Sequence, residues 1–358
     1  MLTAVAFILI LGLLVFVHEL GHFLVAKKMG VKVEEFGFGF PPRLLGIKKG
    51  ETIYSLNLIP LGGFCKLLGE DGEAKQNHRS FAAKKVWQRA SMLLAGVTMN
   101  VLLAAALLSL GYIIGLPWAV DDEQAVSAAR VQITQVDVDS PAAQAGLKAG
   151  DVILAISGPG GRLDKAEKVA DVQSVTDKNK GQEMLILAQR GQAQWQVKLV
   201  PRLNPPEGQG AMGVALARVA KISFSWYQAI YEGIKETVLL VWLIISSLVY
   251  LLWQFLISGQ AAGGVVGPVG IYSITGQAAQ MGFVYLLQLT AFLSINLAIV
   301  NALPFPALDG GRVLFLIIEK IKGSPVSQQV EKAVHAAGFV FLILLMIVVT
   351  WKDIARLF

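Results

Sequence analysis

Val15-Phe-Val-His-Glu-Leu-Gly-His-Phe-Leu24 sets two histidines and a glutamate at the end of a run, Leu2–Leu24, that is apolar up to Val17. About 20 apolar residues make a helix long enough to cross ~30 Å of hydrocarbon. A charged group at that depth costs about 2.5–3.5 kcal/mol even on a mild insertion scale, so these three residues need a reason to be there. A shared metal ion supplies one. On a helix, residues 18 and 22 lie on one face a turn apart, and both imidazoles can reach one ion. Glu19 sits beside them, placed to take a proton from a coordinated water. Zinc suits this set, because it accepts imidazole and carboxylate in a tetrahedral site with one open position. It lowers the pKa of a coordinated water to about 7, so that the water can attack an amide. A chance His-Glu-x-x-His in a soluble chain is the bland alternative, and the apolar setting argues against it.

Outward from that segment the apolar pattern recurs in Met92–Leu116, Val238–Ile257, Gly282–Leu303 and Val334–Trp351. Over 358 residues the chain is 54% hydrophobic and 16% charged. An ordinary soluble domain carries about 25% charge, which excludes a soluble globular enzyme. A disordered or fibrous chain is excluded too, since apolar residues dominate without a compositional repeat. The single cysteine, Cys65, rules out a disulfide framework or a multi-cysteine metal cluster and reads as a packing residue. Between Val25 and Ser91 twelve Lys/Arg face six Asp/Glu, which equals the net +6 of the whole chain. A basic stretch between two apolar runs is a cytoplasmic loop rather than a nucleic-acid surface. Met1–Thr3 is uncharged while Lys27, Lys28 and Lys32 follow the first run, so the N-terminus is expected outside. With no positive n-region and no small-residue cleavage site before His18, that run is expected to stay in the mature protein.

Residues 119–210 change character, with ten basic and twelve acidic residues and short alternating runs such as Val131-Gln-Ile-Thr-Gln-Val136. They read as half-buried strands of a small soluble domain, with the Pro- and Gly-rich Pro201–Gly210 as its closing linker. Glu35–Phe40 and Thr52–Ile59 also alternate, predicting two strands around a Pro41–Gly50 connection. At membrane depth such backbone must be buried by protein or line a hydrated cavity.

A catalytic zinc wants a third protein ligand. His78 lies in the basic loop and His335 at the entry of the last apolar run, and both read as solvated or interfacial. The better candidate is Asp309, in Asn301-Ala-Leu-Pro-Phe-Pro-Ala-Leu-Asp-Gly310, which follows an apolar run and a double proline break. Pairing with Arg312 is its structural alternative. Gly37 and Gly39 would let a substrate backbone approach an exposed edge at Glu35–Phe40 by β-augmentation, or they merely shape a hairpin. Asn301 could bond a substrate backbone or cap the helix broken at Pro304. Asn100, the amide within Met92–Leu116, reads as a bond to a neighbouring helix.

His-Glu-Leu-Gly-His in the first apolar run, with the Asn-x-x-Pro-x-Pro-x-Leu-Asp-Gly segment near the far end, resembles the site-2 protease family of intramembrane zinc metalloproteases, and the bacterial RseP type within it. The resemblance covers nearly the whole chain. It implies that His18, His22 and Asp309 bind one Zn2+ per chain, with Glu19 as the catalytic base. Phe36-Gly-Phe-Gly-Phe40 is similar to the family's GxG segment in a membrane-re-entrant β element, which implies substrate contacts at Gly37, Phe38 and Gly39. Asn301, Pro304 and Pro306 match residues thought to help hold substrate. Ser140-Pro-Ala-Ala-Gln-Ala-Gly-Leu-Lys-Ala-Gly-Asp-Val-Ile153 is similar to the signature of protease-associated PDZ domains. Long enterobacterial members carry two tandem PDZ domains, and this chain has room for one.

The expected architecture is a polytopic α-helical membrane protein with a membrane-re-entrant β element and one inserted extracytoplasmic PDZ domain of α+β type. Residues 1–118 form the first half of the membrane domain, 119–205 the PDZ domain, 206–281 a linker and membrane-associated helix, and 282–358 the second half. Four spans are expected, because a crossing by Val238–Ile257 would put Asp309 on the opposite side from His22. The implied activity is regulated intramembrane proteolysis in a bacterial plasma (inner) membrane, with the active site toward the cytoplasm. Its partners would be single-pass membrane substrates (anti-sigma factors and remnant signal peptides), peptide termini at the PDZ domain, and the lipid bilayer. A PDZ adaptor with a dead metal site is disfavoured because base, histidines and aspartate are all present. A membrane protease with glutamate as third ligand lacks a suitable Glu, and a transporter lacks an inverted repeat.

Overall fold

The computed structural model describes residues 2–355 apart from 71, 73, 75, 125, 127, 128, 138, 207 and 259–265. The elements run α1 (Leu2–Lys28), β1 (Val33–Lys49), β2 (Thr52–Leu67), α2 (Val86–Ile114), β3 (Leu116–Ala119), β4 (Arg130–Val136), α3 (Pro141–Gln144), β5 (Val152–Ser157) and β6 (Asp164–Lys165). They continue with α4 (Val169–Lys178), β7 (Met184–Arg190), β8 (Ala193–Leu199), β9 (Val214–Ile222), α5 (Trp226–Ser258), α6 (Pro268–Met281), α7 (Phe283–Ala302), α8 (Asp309–Lys322) and α9 (Gln328–Ala355). One unit comprises Met1–Leu110, Tyr227–Gly276 and Leu287–Phe358, and the other Gly111–Trp226 with Gln277–Leu286.

In the first unit the apolar runs become helices. Five of those described (α1, α2, α5, α7 and α9) have the length and apolarity to cross a membrane, so these criteria alone do not set α5 apart. Side-chain contacts give their directions. α2 runs against α1, with Met92 at His22 and Asn100 at His18. α7 runs with α1: α6, just before it, meets Thr3 at Gly276, and the segment after α7 brings Asp309 to His18. α5 meets α2 at Gly233, beside Ser109, and its Leu240, Val241 and Ile244 pack on a cluster shared by α2 (Ala104, Leu108) and α7 (Ala291, Ile295, Ile299). α9 returns from Pro306, at Gly338, to Gly267 and Gly270, whose backbone meets Asp353.

The β element differs from the expected hairpin. Arg43–Lys49 is strand, not connection, and pairs with Thr52–Asn57. Pro41 and Pro42 fall where the register shifts between Phe40 and Arg43, a place where a missing N–H is tolerated. Both strands are bent, so that Glu35–Phe38 pairs with Ile53–Leu56 on one side and Gly63–Lys66 on the other. The expected exposed edge at Glu35–Phe40 is therefore occupied on both sides. Phe36 and Phe38 pack edge-on against Phe16 of α1.

The second unit holds a sheet of order β3-β9-β4-β5-β7-β8, with β6 on β5. Val131, Ile133, Ile153, Ile156, Met184 and Ile186 form its core with Val172 of α4. The expected end at residue 205 is too early. β9 lies between β3 and β4 in mid-sheet, so Pro201–Gly210 leads into a strand rather than out of the domain. The Ser140–Ile153 signature has local causes. The Ser140 side chain caps α3 by accepting from Ala143 N–H, with Pro141 in the first turn, and Gly146 and Gly150 take left-handed φ of 80° and 96°. Asp151 is fully buried and takes two bonds from Arg190, 2.6 and 2.8 Å, which hold the guanidinium pKa above its usual range. Arg190→Leu would strand that carboxylate. A loss of about 3 kcal/mol is expected, read as faster amide exchange in β5 and β7 while the membrane helices stay protected.

Candidate metal centre

Three chain segments converge on one point. α1 offers His18 and His22 from one face. α2 approaches them closely because Gly21 carries no side chain: a Cβ there would overlap the Ala95 carbonyl. Asp309 opens α8 after the break at 303–308. Gly310 and Gly311 let that first turn pack under the carbonyls of Ala302, Leu303 and Phe305, where any Cβ would collide. The N-terminal end of a helix dipole favours the Asp309 carboxylate.

His18 Nε2 lies 3.0 Å from Asp309 Oδ2, His22 Nε2 3.4 Å from the same oxygen, and the two Nε2 atoms 3.2 Å apart. Ligand atoms ~2.0–2.1 Å from a tetrahedral zinc stand ~3.3 Å from one another. The triangle fits that ion. Its faces are sheltered, with His18 buried and Asp309 about one-fifth exposed. His22 Nδ1 lies 2.8 Å from the Met92 carbonyl, which fixes the proton on Nδ1 and turns the Nε2 lone pair inward. Gly96, one turn beyond Met92 on α2, leaves room for both rings. A Cβ there would sit 2.5 Å from His22 Nε2 and 2.6 Å from His18 Cε1.

Glu19 borders a cavity of about 360 Å³ together with His22, Asp309, Phe64, Cys65 and Glu70. The edge of β2 thus forms one wall of the space facing the triad. The other expected residues fall nearby but play visibly different parts. Gly37 is crossed by the Phe64 ring, Phe38 packs against Gly12 of α1, and the Gly39 carbonyl accepts from Asn57 Nδ2 at 3.0 Å with φ at 81°. Asn301 is half-buried in the last turn of α7. Pro304 lies in the break after it, and Pro306 abuts Gly338 of α9. Arg312 pairs with Glu70, while Asp309 faces the histidines.

His78 is exposed. His335 is no ligand here, yet it matters to the site: its Nδ1 accepts from the Ala307 N–H at 2.8 Å. That bond holds Ala307 at φ 75°, an uncommon value for a non-glycine residue, two positions before Asp309. Gly96 and Ala307 carry no sequence signal of their own, since each role depends on a neighbour far along the chain.

A family model for peptidase family M50 matches residues 6–345. The chain belongs to this family, the site-2 proteases. Among M50 relatives, the regulator of sigma-W protease RasP of Bacillus subtilis is 33% identical over 99% of both chains. Putative zinc metalloproteases of Clostridium acetobutylicum and Clostridium perfringens are 35% and 37% identical, the first covering 97% of this chain and 96% of its own, the second 95% of each. With its several long apolar helices, this M50 member is a multi-pass membrane protein.

Proposed function

We propose that the chain is an intramembrane zinc endopeptidase that cuts single-pass membrane proteins, with anti-sigma factors and remnant signal peptides as its substrate classes. One observation carries the reading: His18, His22 and Asp309 present three ligand atoms at the spacing of a tetrahedral zinc, from segments far apart in sequence. The curated relatives named zinc metalloproteases, and the one named regulator of sigma-W protease, support the metal and the substrate class. Bound zinc supplies Lewis acidity toward water and the scissile carbonyl. Glu19, on the cavity wall beside the triad, takes the proton from the attacking water and returns it to the leaving amine. A helical substrate hides its amides in its own hydrogen bonds and has to unwind first. We place the receiving edge at Gly63–Lys66, where Phe64, Cys65 and Lys66 line the cavity, with Gly37, Phe38 and Gly39 shaping the strand behind it. Asn301, Pro304 and Pro306 hold the substrate backbone at the broken end of α7.

The topology that fits this chemistry has four spans. A crossing by α5 would leave α7 to run outward and carry Asp309 away from His22, unless the chain between α5 and α7 returned across the membrane. The helix in that stretch, α6, has 14 residues and covers about 21 Å, short of the ~30 Å core. An α5 that lies along the interface or re-enters removes the conflict. Lys27, Lys28, Arg312, Lys320 and Lys322 then share the cytoplasmic side with the active site. The second unit is the extracytoplasmic PDZ domain, and it recruits or gates through peptide termini. Replacing residues 116–222 by a flexible linker is expected to leave cleavage of a pre-shortened substrate within about tenfold while widening the range of proteins cut. A folded, zinc-loaded but inactive deletion protein would contradict this division of labour. The functional test is a comparison of membrane proteomes from cells with wild-type and Glu19→Gln enzyme. Single-pass proteins should accumulate uncut, and no such accumulation would sink the reading.

A further inference from the structure

We propose that Asn100 is a positioning residue of the metal centre: its side-chain oxygen accepts the Nδ1 proton of His18 and so presents the His18 Nε2 lone pair to the ion. Asn100 is fully buried on α2, with its amide nitrogen 3.3 Å from His18 Nδ1. Its Oδ1 is buried without a hydrogen-bond partner. An imidazole that ligates through Nε2 carries its proton on Nδ1 and is a donor there. Facing an amide NH2, it would meet a second donor, and Oδ1 would stay orphaned. A half-turn of the terminal amide exchanges two atoms of nearly equal size, removes the donor–donor clash and brings Oδ1 to His18. Nδ1–H then donates to Oδ1.

The position is built for this. Met92, Gly96 and Asn100 are spaced four apart and form one stripe on α2, matching the four-residue spacing of the histidines on α1. Met92 serves His22 through its carbonyl, Gly96 leaves room for the rings, and Asn100 serves His18. The Ser294 hydroxyl of α7, itself fully buried, donates to the Asn100 main-chain oxygen at 2.8 Å. That bond ties the stripe to the helix that leads to Asp309. Asn100 thus ties α2 both to α1, which carries the two histidines, and to α7, which leads to Asp309.

This inference rests on the zinc reading above, and metal affinity of the intact protein separates the two. Full-length wild type, Asn100→Leu and Asn100→Asp are purified and titrated with zinc against a chromophoric chelator, and with cobalt by visible absorption. Leucine keeps bulk but accepts nothing; a tenfold to hundredfold weaker zinc affinity is expected, with altered cobalt bands. Aspartate still accepts the Nδ1 proton, and its affinity should stay within a few-fold of wild type. Equal affinity of Asn100→Leu and wild type would overturn the inference. So would an Asn100→Asp protein that loses as much as the leucine variant, since aspartate offers His18 Nδ1–H an acceptor at the same place. Helical circular dichroism of the metal-free proteins monitors folding, and Asn100→Ala replaces the leucine variant in the comparison if leucine unfolds the bundle. A wild type that binds no zinc would instead refute the metal reading itself.

Discussion

Purified Glu19→Gln protein is expected to hold one zinc per chain, as wild type does, and to cleave at least about a hundredfold more slowly. The glutamine amide keeps the size of the side chain but cannot accept a proton. Loss of a general base costs about 10²–10⁴ in rate, or about 3–5 kcal/mol of transition-state stabilisation. Glu19 contributes no atom to the His18–His22–Asp309 triangle, so metal content should not follow activity. Metal analysis beside a cleavage assay separates the two quantities. A zinc-free Glu19→Gln protein would make Glu19 a ligand and contradict the assignment.

Gly96→Ala should do the opposite: spare the helix and empty the site. Alanine is a better helix former than glycine by about 1 kcal/mol, so α2 itself gains. The added methyl would sit 2.5 Å from His22 Nε2 and 2.7 Å from His18 Nε2, on the side where the two rings converge. Either the rings turn away or α2 shifts, and both outcomes separate the ligand atoms. Zinc content and cleavage are expected to fall together below detection, with helical content unchanged. A fully loaded, active Gly96→Ala protein would show that the rings have room the geometry denies them.

The elements legible in the sequence were those with strong local signals. The apolar runs became helices, and the paradox of two histidines and a glutamate in one of them led to the metal. Asp309, which lies beside both histidines, stands out in the sequence because a carboxylate after a double proline break is out of place in an apolar context. What stayed hidden depends on distant partners. Arg43–Lys49 reads as a connection because two prolines precede it and a glycine interrupts it, yet it pairs beyond a register shift. The free edge at Gly63–Lys66 could not be told from the occupied one at Glu35–Phe38, since alternation says which face a side chain takes and nothing about neighbours. β9 is rich in alanine, and the Pro/Gly stretch before it looks like a domain end. Asn100 was visible as a lone amide, but its partner, His18, lies on another helix.

X-ray absorption at the zinc edge of the purified, full-length protein tests the metal centre directly. Two imidazole nitrogens and oxygen ligands at ~2.0–2.2 Å are expected, with the same spectrum from wild type and Glu19→Gln. A sulfur scatterer at ~2.3 Å, or a site with a single imidazole, would contradict the His18–His22–Asp309 assignment.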